Sequence, residues 1–410
     1  MQYHFHTLSN GIRLVHRNSD RLVGHLAVMI NTGTRDELAG EEGLAHFIEH
    51  VIFKGTRKRK LHQVLGNLEN IGADLNAYTT KEETCIHASF LSEFFPRAID
   101  LFADILFNSV FPEKEIEKEK DVVLDEINSY KDSPSELIFD QFEEMLFKGH
   151  ALGKSVLGSP ASVKKINRRR ILSFLASHYN TDQIVISSVG NISFGRLIKL
   201  AEQTFGQVPA NLRAQPRLAF TAGEPRQEVQ SRRVFQTHCI LGGLAYSYAD
   251  QRRTALALLT NLLGGPAMNS RLSMALRERN GLSYNIESVY TPYAETGSFM
   301  IYLGIDNGSL EKAISITTLE LKKLMDKGLG SLQFHNARRQ FIGQLAISFE
   351  SNLNDALSMA KSMLVYDTVD THEVLIAKIN ALTAQELTEV ANEIFNPDAM
   401  SMLVYKNRKS

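Results

Sequence analysis

GLAHFIEHVIFKGT, from Gly43 to Thr56, reads as a helix that is apolar on nearly every side: Leu44, Ala45, Phe47, Ile48, Val51, Ile52 and Phe53 leave no wide polar face. A helix of that kind belongs inside a domain. Acidic residues before it (Asp36, Glu37, Glu41, Glu42) and Lys54-Gly55 after it place its ends at about 42 and 54. Three polar residues interrupt it. His46 and His50 lie one turn apart on the same face, and Glu49 sits beside them. Burying two imidazoles and a carboxylate without partners is costly. A divalent metal satisfies all three at once.

The spacing His-x-x-Glu-His is that of the inverted zinc-peptidase motif, in which both histidines bind zinc and the glutamate is the general base. A chance arrangement of common residues in a core helix is the competing reading, and context has to separate the two. Catalytic zinc takes three protein ligands and keeps a fourth position for water. A helix expected from Pro112 to Tyr130 offers Glu115, Glu119 and Glu126 along one flank of its apolar stripe of Ile116, Val123 and Ile127. Periodicity does not choose among these carboxylates, and a solvated acidic face balanced by Lys114, Lys118 and Lys120 would show the same pattern.

At 410 residues the chain is long enough for two or more domains, and 43% hydrophobic with 22% charged residues is ordinary globular composition. A formal net charge of -1 gives no electrostatic case for a nucleic-acid or membrane partner. The basic runs Arg57–Lys60 and Arg168–Arg170 read as solvated faces. The N-terminal MQYHFHTLSNGIRLVHRN lacks the features of a secretory signal, and no apolar run is long enough to span a bilayer, so the expected location is cytoplasmic. Cys85 and Cys239 sit among apolar residues and read as buried thiols.

Strands are expected at Gly11–His16 and His25–Asn31, a helix at Leu61–Ile71, and a strand pair within Asn76–Phe90. Helices at Pro96–Phe107, Pro112–Tyr130 and Ile171–Tyr179 precede an apolar strand at Ile184–Val189. Between Gly206 and Gln230 periodicity lapses and three prolines appear, which marks a linker. Beyond it the order of elements returns: His238–Tyr246 answers His25–Asn31, Arg253–Leu263 answers the histidine helix, and Ile394–Asn407 (IFNPDAMSMLVYKN) answers His178–Asn191 (HYNTDQIVISSVGN). The expected architecture is α+β: two tandem homologous domains, each a mostly antiparallel sheet packed with helices. Their boundaries are 1–208 and 229–410, with a linker at 209–228. In the second copy an apolar run, Ala255 to Leu263, stands where His46, Glu49 and His50 stand in the first, and Gln344 stands opposite Glu126. Only the first copy can hold a metal.

GLAHFIEHVIFKGT, the NAYT that follows, and a Glu-x6-Glu helix beyond resemble the pitrilysin, insulin-degrading enzyme and mitochondrial processing peptidase family of zinc endopeptidases, over both halves of the chain. The resemblance implies one zinc per chain, with His46, His50 and Glu126 as ligands, Glu49 as general base and Glu119 as the carboxylate that orients a ligating histidine. It also implies that Asn76, Ala77, Tyr78 and Thr79 form the edge strand to which peptide substrate adds. LRERNGLSY (Leu276–Tyr284) is similar to the family's Arg and Tyr pair, which assigns substrate or oxyanion contacts to Arg277 and Tyr284. The family's clamshell is twice this length, so the resemblance implies a homodimer in which Arg277 and Tyr284 serve the partner's site, enclosing unfolded peptides. A non-catalytic partner subunit and a hydrolase of non-peptide substrates are the alternatives.

Overall fold

A computed structural model describes residues 2–214 and 216–407, with the side chain of Tyr284 also outside the described residues. The strands are β1 (Tyr3–Thr7), β2 (Arg13–Asn18), β3 (Val23–Ile30), β4 (Asp74–Thr79), β5 (Thr84–Leu91), β6 (Ile184–Gly190), β7 (Gln227–Arg232), β8 (Thr237–Ala245), β9 (Ser283–Pro292), β10 (Gly297–Ile305) and β11 (Ser401–Asn407). The first half carries helices α1 (Leu44–Val51), α2 (Leu61–Glu69), α3 (Phe95–Asn108), α4 (Glu113–Lys131), α5 (Pro134–Leu146), α6 (Pro160–Val163), α7 (Arg168–His178) and α8 (Phe194–Thr204). The second carries α9 (Arg253–Gly264), α10 (Leu310–Asp326), α11 (Ser331–Ser348), α12 (Asn352–Tyr366), α13 (His372–Ala381) and α14 (Ala384–Ile394).

The strands form two sheets, ordered β1-β2-β6-β3-β5-β4 and β7-β11-β8-β10-β9. Apart from the extra edge strand β1, the two orders are the same. Each sheet has one parallel pair, β2 with β6 and β7 with β11, and is otherwise antiparallel. This is the repeated, mostly antiparallel α+β unit expected from the sequence.

The chain forms two compact units, and they are not the contiguous spans 1–208 and 229–410. One comprises residues up to Asn128, Lys154–Leu218 and Ile347–His372; the other comprises Ser129–Gly153, Ala219–Ala346 and the chain from Glu373 on. Each sheet is buried on both faces, which is why β3, β6, β8 and β10 read as nearly continuous apolar runs. In the first unit, Leu26, Val28, Ile86 and Ile186 face the core shared with α1 and α3, while Ala27, Met29, Cys85 and Val185 pack against Ala356, Met359, Ala360 and Met363 of α12. In the second, α5 covers one face of the sheet, with Ile138 and Phe142 against Ile240, Met300, Leu403 and Tyr405. Helices α5 and α12 stand at equivalent places in the repeat, and each packs on the sheet of the other half. Burial of the second face of each sheet decides this exchange, and periodicity within either half does not reveal it.

In the first half, β1, α5, α6 and α8 are additional to the sequence expectation. The histidine helix is shorter than 42 to 54. It starts after Gly43, whose φ of +86° suits glycine, and a Cβ there would lie 2.6 Å from the carbonyl oxygen of Leu157. The irregular segment between the halves runs to β7 at Gln227. Both cysteines are buried and free. No helix among the described residues is long and apolar enough to cross a membrane.

Candidate metal centre and active site

Helix α1 packs beside β4, and α4 passes close to its His46 and His50 face. His46 Nε2 and His50 Nε2 are 3.3 Å apart. Glu126 Oε2 lies 3.7 Å from the first and 3.6 Å from the second. Donors about 2.0–2.1 Å from a tetrahedral zinc ion lie about 3.3 Å from one another, so the three atoms have the spacing of ligands around one point. Glu126 Oε2 is itself buried and has no hydrogen-bond partner, although the rest of that side chain is partly exposed. A carboxylate oxygen turned inward toward two imidazole nitrogens, with nothing donating to it, fits a ligand of a cation. Among the described residues no other group of three His, Cys, Asp or Glu side chains converges in this way.

The surroundings prepare these groups for a metal. Burial, with the neighbouring His50, lowers the pKa of His46 to about 4, so its ring is neutral and its lone pair free to ligate. Glu119 Oε1 lies 3.0 Å from His50 Nδ1, and Lys54 Nζ donates to Glu119 Oε2 at 2.8 Å. The chain Lys54–Glu119–His50 directs the remaining ring nitrogen toward the ligand point. Glu119 and Glu126 stand seven residues apart on α4 and so share the face beside its buried stripe of Ile116, Val123 and Ile127. Glu115 pairs with Lys118 at 3.3 Å instead and is not among the converging groups.

Glu49 is not one of the converging ligands. Burial raises its pKa, opposed by the Thr79 hydroxyl at the end of β4 and by His50. It is therefore close to both His50 and the end of β4. That strand holds Asp74–Thr79 at the outer edge of the sheet, paired on one side only, with Asn76 opposite His87 and Thr79 opposite Thr84 of β5. The other side of its backbone is open to an added strand. Asn76 is exposed and its amide donates to Asp74; Ala77, Tyr78 and Thr79 are half-buried along the same edge.

One residue has a sharper role than its sequence signal. Glu37 belongs to the acidic group preceding α1, but it is 7% exposed and accepts from the backbone N–H of Gly43 at 3.0 Å and of Ala45 at 2.8 Å. Burial raises its pKa, while two amide donors at a helix N-terminus favour the carboxylate. Its carboxylate holds the first turn of the helix that carries the motif.

Residues 14–160 match the insulinase domain of peptidase family M16, and residues 165–341 match the domain described as the Peptidase M16 inactive domain. A Bacillus subtilis relative named as an uncharacterized zinc protease, YmxG, is 31% identical over 400 residues, covering 97% of each chain. The chain belongs to peptidase family M16. A second relative in this family, an uncharacterized zinc protease from Rickettsia bellii, is 31% identical over 405 residues, 98% of this chain and 97% of that one. Among solved structures, a protease from Helicobacter pylori superposes with a TM-score of 0.91 at 20% identity, covering 99% of both chains. A Pseudomonas fluorescens structure described as a peptidase M16 inactive domain gives 0.93 at 19% identity, covering 99% of this chain and 98% of that one. At those identities the two structures show a shared M16 fold.

The two residues assigned from LRERNGLSY, Arg277 and Tyr284, lie in the second unit. Arg277 is in a turn of π-helix, Ser273–Glu278, with its side chain about half exposed and next to Glu278. Tyr284 falls within β9, the edge strand equivalent to β4, and its side chain lies outside the described residues. Gly264-Gly265 end α9.

Proposed function

We propose that the chain is a zinc-dependent endopeptidase that hydrolyses peptide bonds of unfolded peptides or small proteins. The observation that carries this reading is the convergence of His46, His50 and Glu126 beside a fourth polar group, Glu49, that does not ligate, next to an open strand edge. His46 Nε2, His50 Nε2 and Glu126 Oε2 would hold the ion. Zinc bound there would supply Lewis acidity, lowering the pKa of water to about 7 and polarising a peptide carbonyl. Glu49 accepts the proton of the attacking water and returns it to the departing amine, so the proton lost by water ends on the new N-terminus. Backbone pairing along Asn76, Ala77, Tyr78 and Thr79 holds the peptide extended with little demand on its sequence, and this suits unfolded substrates.

The purified chain is expected to carry one zinc and to cleave an unstructured peptide. Chelation should abolish cleavage, and added zinc should restore it. Cleavage that survives full removal of metal would overturn the proposal, and zinc without any peptide cleavage would favour a hydrolase of another substrate.

The reading extends to a homodimeric chamber in which Arg277 and Tyr284 of one protomer complete the other's site, supported by the similarity of LRERNGLSY to the family's Arg and Tyr pair. Mixing Arg277→Ala chains with Glu49→Gln chains should then restore about a quarter of wild-type activity, since half the dimers are mixed and each has one complete site. A mixture no more active than either parent would exclude action across the dimer.

A further inference from the structure

The loop Asn31–Glu37 between β3 and α1 ends in Glu37, which holds the amides of Gly43 and Ala45. Its neighbour Asp36, with a side chain only 3% exposed, receives two arginines from the irregular segment that leaves the first unit. Arg213 Nη2 donates to Asp36 Oδ1 at 2.5 Å, and Arg217 spans both oxygens, at 3.0 Å from Nε and 2.8 Å from Nη2. Both arginines also donate to the carbonyl of Asn31. Arg217 reaches further, to the carbonyl of Glu82 at 2.7 Å. Glu82 lies in the turn Thr80–Glu83 that follows β4, and its carboxylate pairs with the buried Arg35. Arg35 closes the ring by donating to the carbonyl of Leu218 at 2.7 Å. The loop and the turn also bond directly, Thr34 N to Thr80 O and Arg35 N to Lys81 O.

The clamp thus grips two things at once: the loop whose last residue holds the start of α1, and the turn that ends β4. These are the elements that carry Glu49 and the proposed substrate strand. Their mutual position sets where Glu49 lies relative to a peptide paired with β4, and a shift on the order of 1 Å in such a geometry costs roughly 100-fold in rate. A staple needed only to fasten the irregular segment would have no reason to reach the β4 turn. Arg217 and Leu218 are also the last residues of the Lys154–Leu218 segment of the first unit.

We propose that Arg213 and Arg217 are positioning residues for the peptidase reaction, holding α1 and β4 in register. The proposal rests on the peptidase reading of the site.

The test compares full-length Arg217→Ala, Arg213→Ala and Arg217→Lys with Arg17→Ala. Arg17 makes an equally buried ion pair with Asp355 in the same unit, against α12 and away from the clamp, so its loss reports stability alone. Arg217→Ala should lower kcat on an unstructured peptide roughly tenfold to 100-fold, with KM changed less than about threefold and zinc retained. Arg213→Ala should do so less. Arg217→Lys keeps the charge but not the fork, and should recover only part of the loss. Hydrogen exchange of the metal-free protein should quicken at residues 43–47 and 76–83 in Arg217→Ala but not in Arg17→Ala. Equal kcat losses in Arg217→Ala and Arg17→Ala, or unchanged exchange in those two segments, would overturn the positioning role. A wild-type protein that cleaves no peptide would instead defeat the peptidase reading, while the exchange comparison still decides whether the clamp holds α1 and β4.

Discussion

Glu49→Gln is expected to reduce kcat for peptide cleavage by roughly 10²- to 10⁴-fold with zinc content unchanged. The amide keeps the shape of the carboxylate but cannot take the proton of the attacking water. The three donor atoms belong to His46, His50 and Glu126, so the substitution leaves the metal site whole. KM should stay within a few-fold of wild type, because peptide binding along β4 depends on its backbone edge. Steady-state kinetics together with metal analysis checks this. A variant that loses its zinc would show that Glu49 ligates, and one that keeps its kcat within tenfold would show that another group is the base.

Glu126→Ala should act by the opposite route, weakening zinc binding by a factor on the order of 10²–10³, the per-ligand share of typical zinc-site binding free energies. Activity should vanish at stoichiometric zinc and return in part when zinc is raised. Glu119→Gln should cost about 10–100-fold in affinity or rate, since it removes the group that orients His50 rather than a donor. Neither change should unfold the chain. The second unit builds the same sheet order with the apolar α9 in place of α1 and with Gln344 on α11, so the architecture does not require ligand residues at that place. Isothermal zinc titration with circular dichroism on the same samples separates the two effects. Loss of helical signal in Glu126→Ala would make the metal structural.

The histidine helix was the most legible part of the sequence because its burial and its polar residues conflict. Leu44, Ala45, Phe47 and Ile48 are buried, so a histidine among them stands out, and the Nδ1 of His46 has no hydrogen-bond partner among the described residues. The internal repeat was legible for a related reason. Strands covered on both faces become continuous apolar runs, and the two runs that end in Asn191 and Asn407 keep the same turn before them. The choice among Glu115, Glu119 and Glu126 was not legible from periodicity. All three lie on one flank of α4, and only the approach of α1 distinguishes the group that converges on His46 and His50, the group beside His50 Nδ1 and the residue that pairs with Lys118 instead.

Glu37 and the arginine clamp were hidden differently. An acidic residue before a helix signals its start, but its pairing with particular amides depends on how the loop folds back. Arg213 and Arg217 lie in a segment without periodicity, where sequence carries no record of what the side chains reach. Their acceptors are chiefly a buried carboxylate and backbone carbonyls, and a carbonyl acceptor leaves no mark in residue identity.

The sequence alone determined the repeat, the mostly antiparallel α+β class and the presence of zinc-binding chemistry in one half only, because each rests on local pattern: strand composition, helical spacing and a polar set interrupting a core helix. Local pattern left open which carboxylate joins His46 and His50, and the tertiary structure brings Glu126 there, as the family resemblance implied; the tertiary structure alone decided that α5 and α12 cross to the other half's sheet, and that the segment leaving the first unit grips the supports of α1 and β4. These depend on residues far apart in the chain being brought within hydrogen-bond or packing distance, and local periodicity does not encode that.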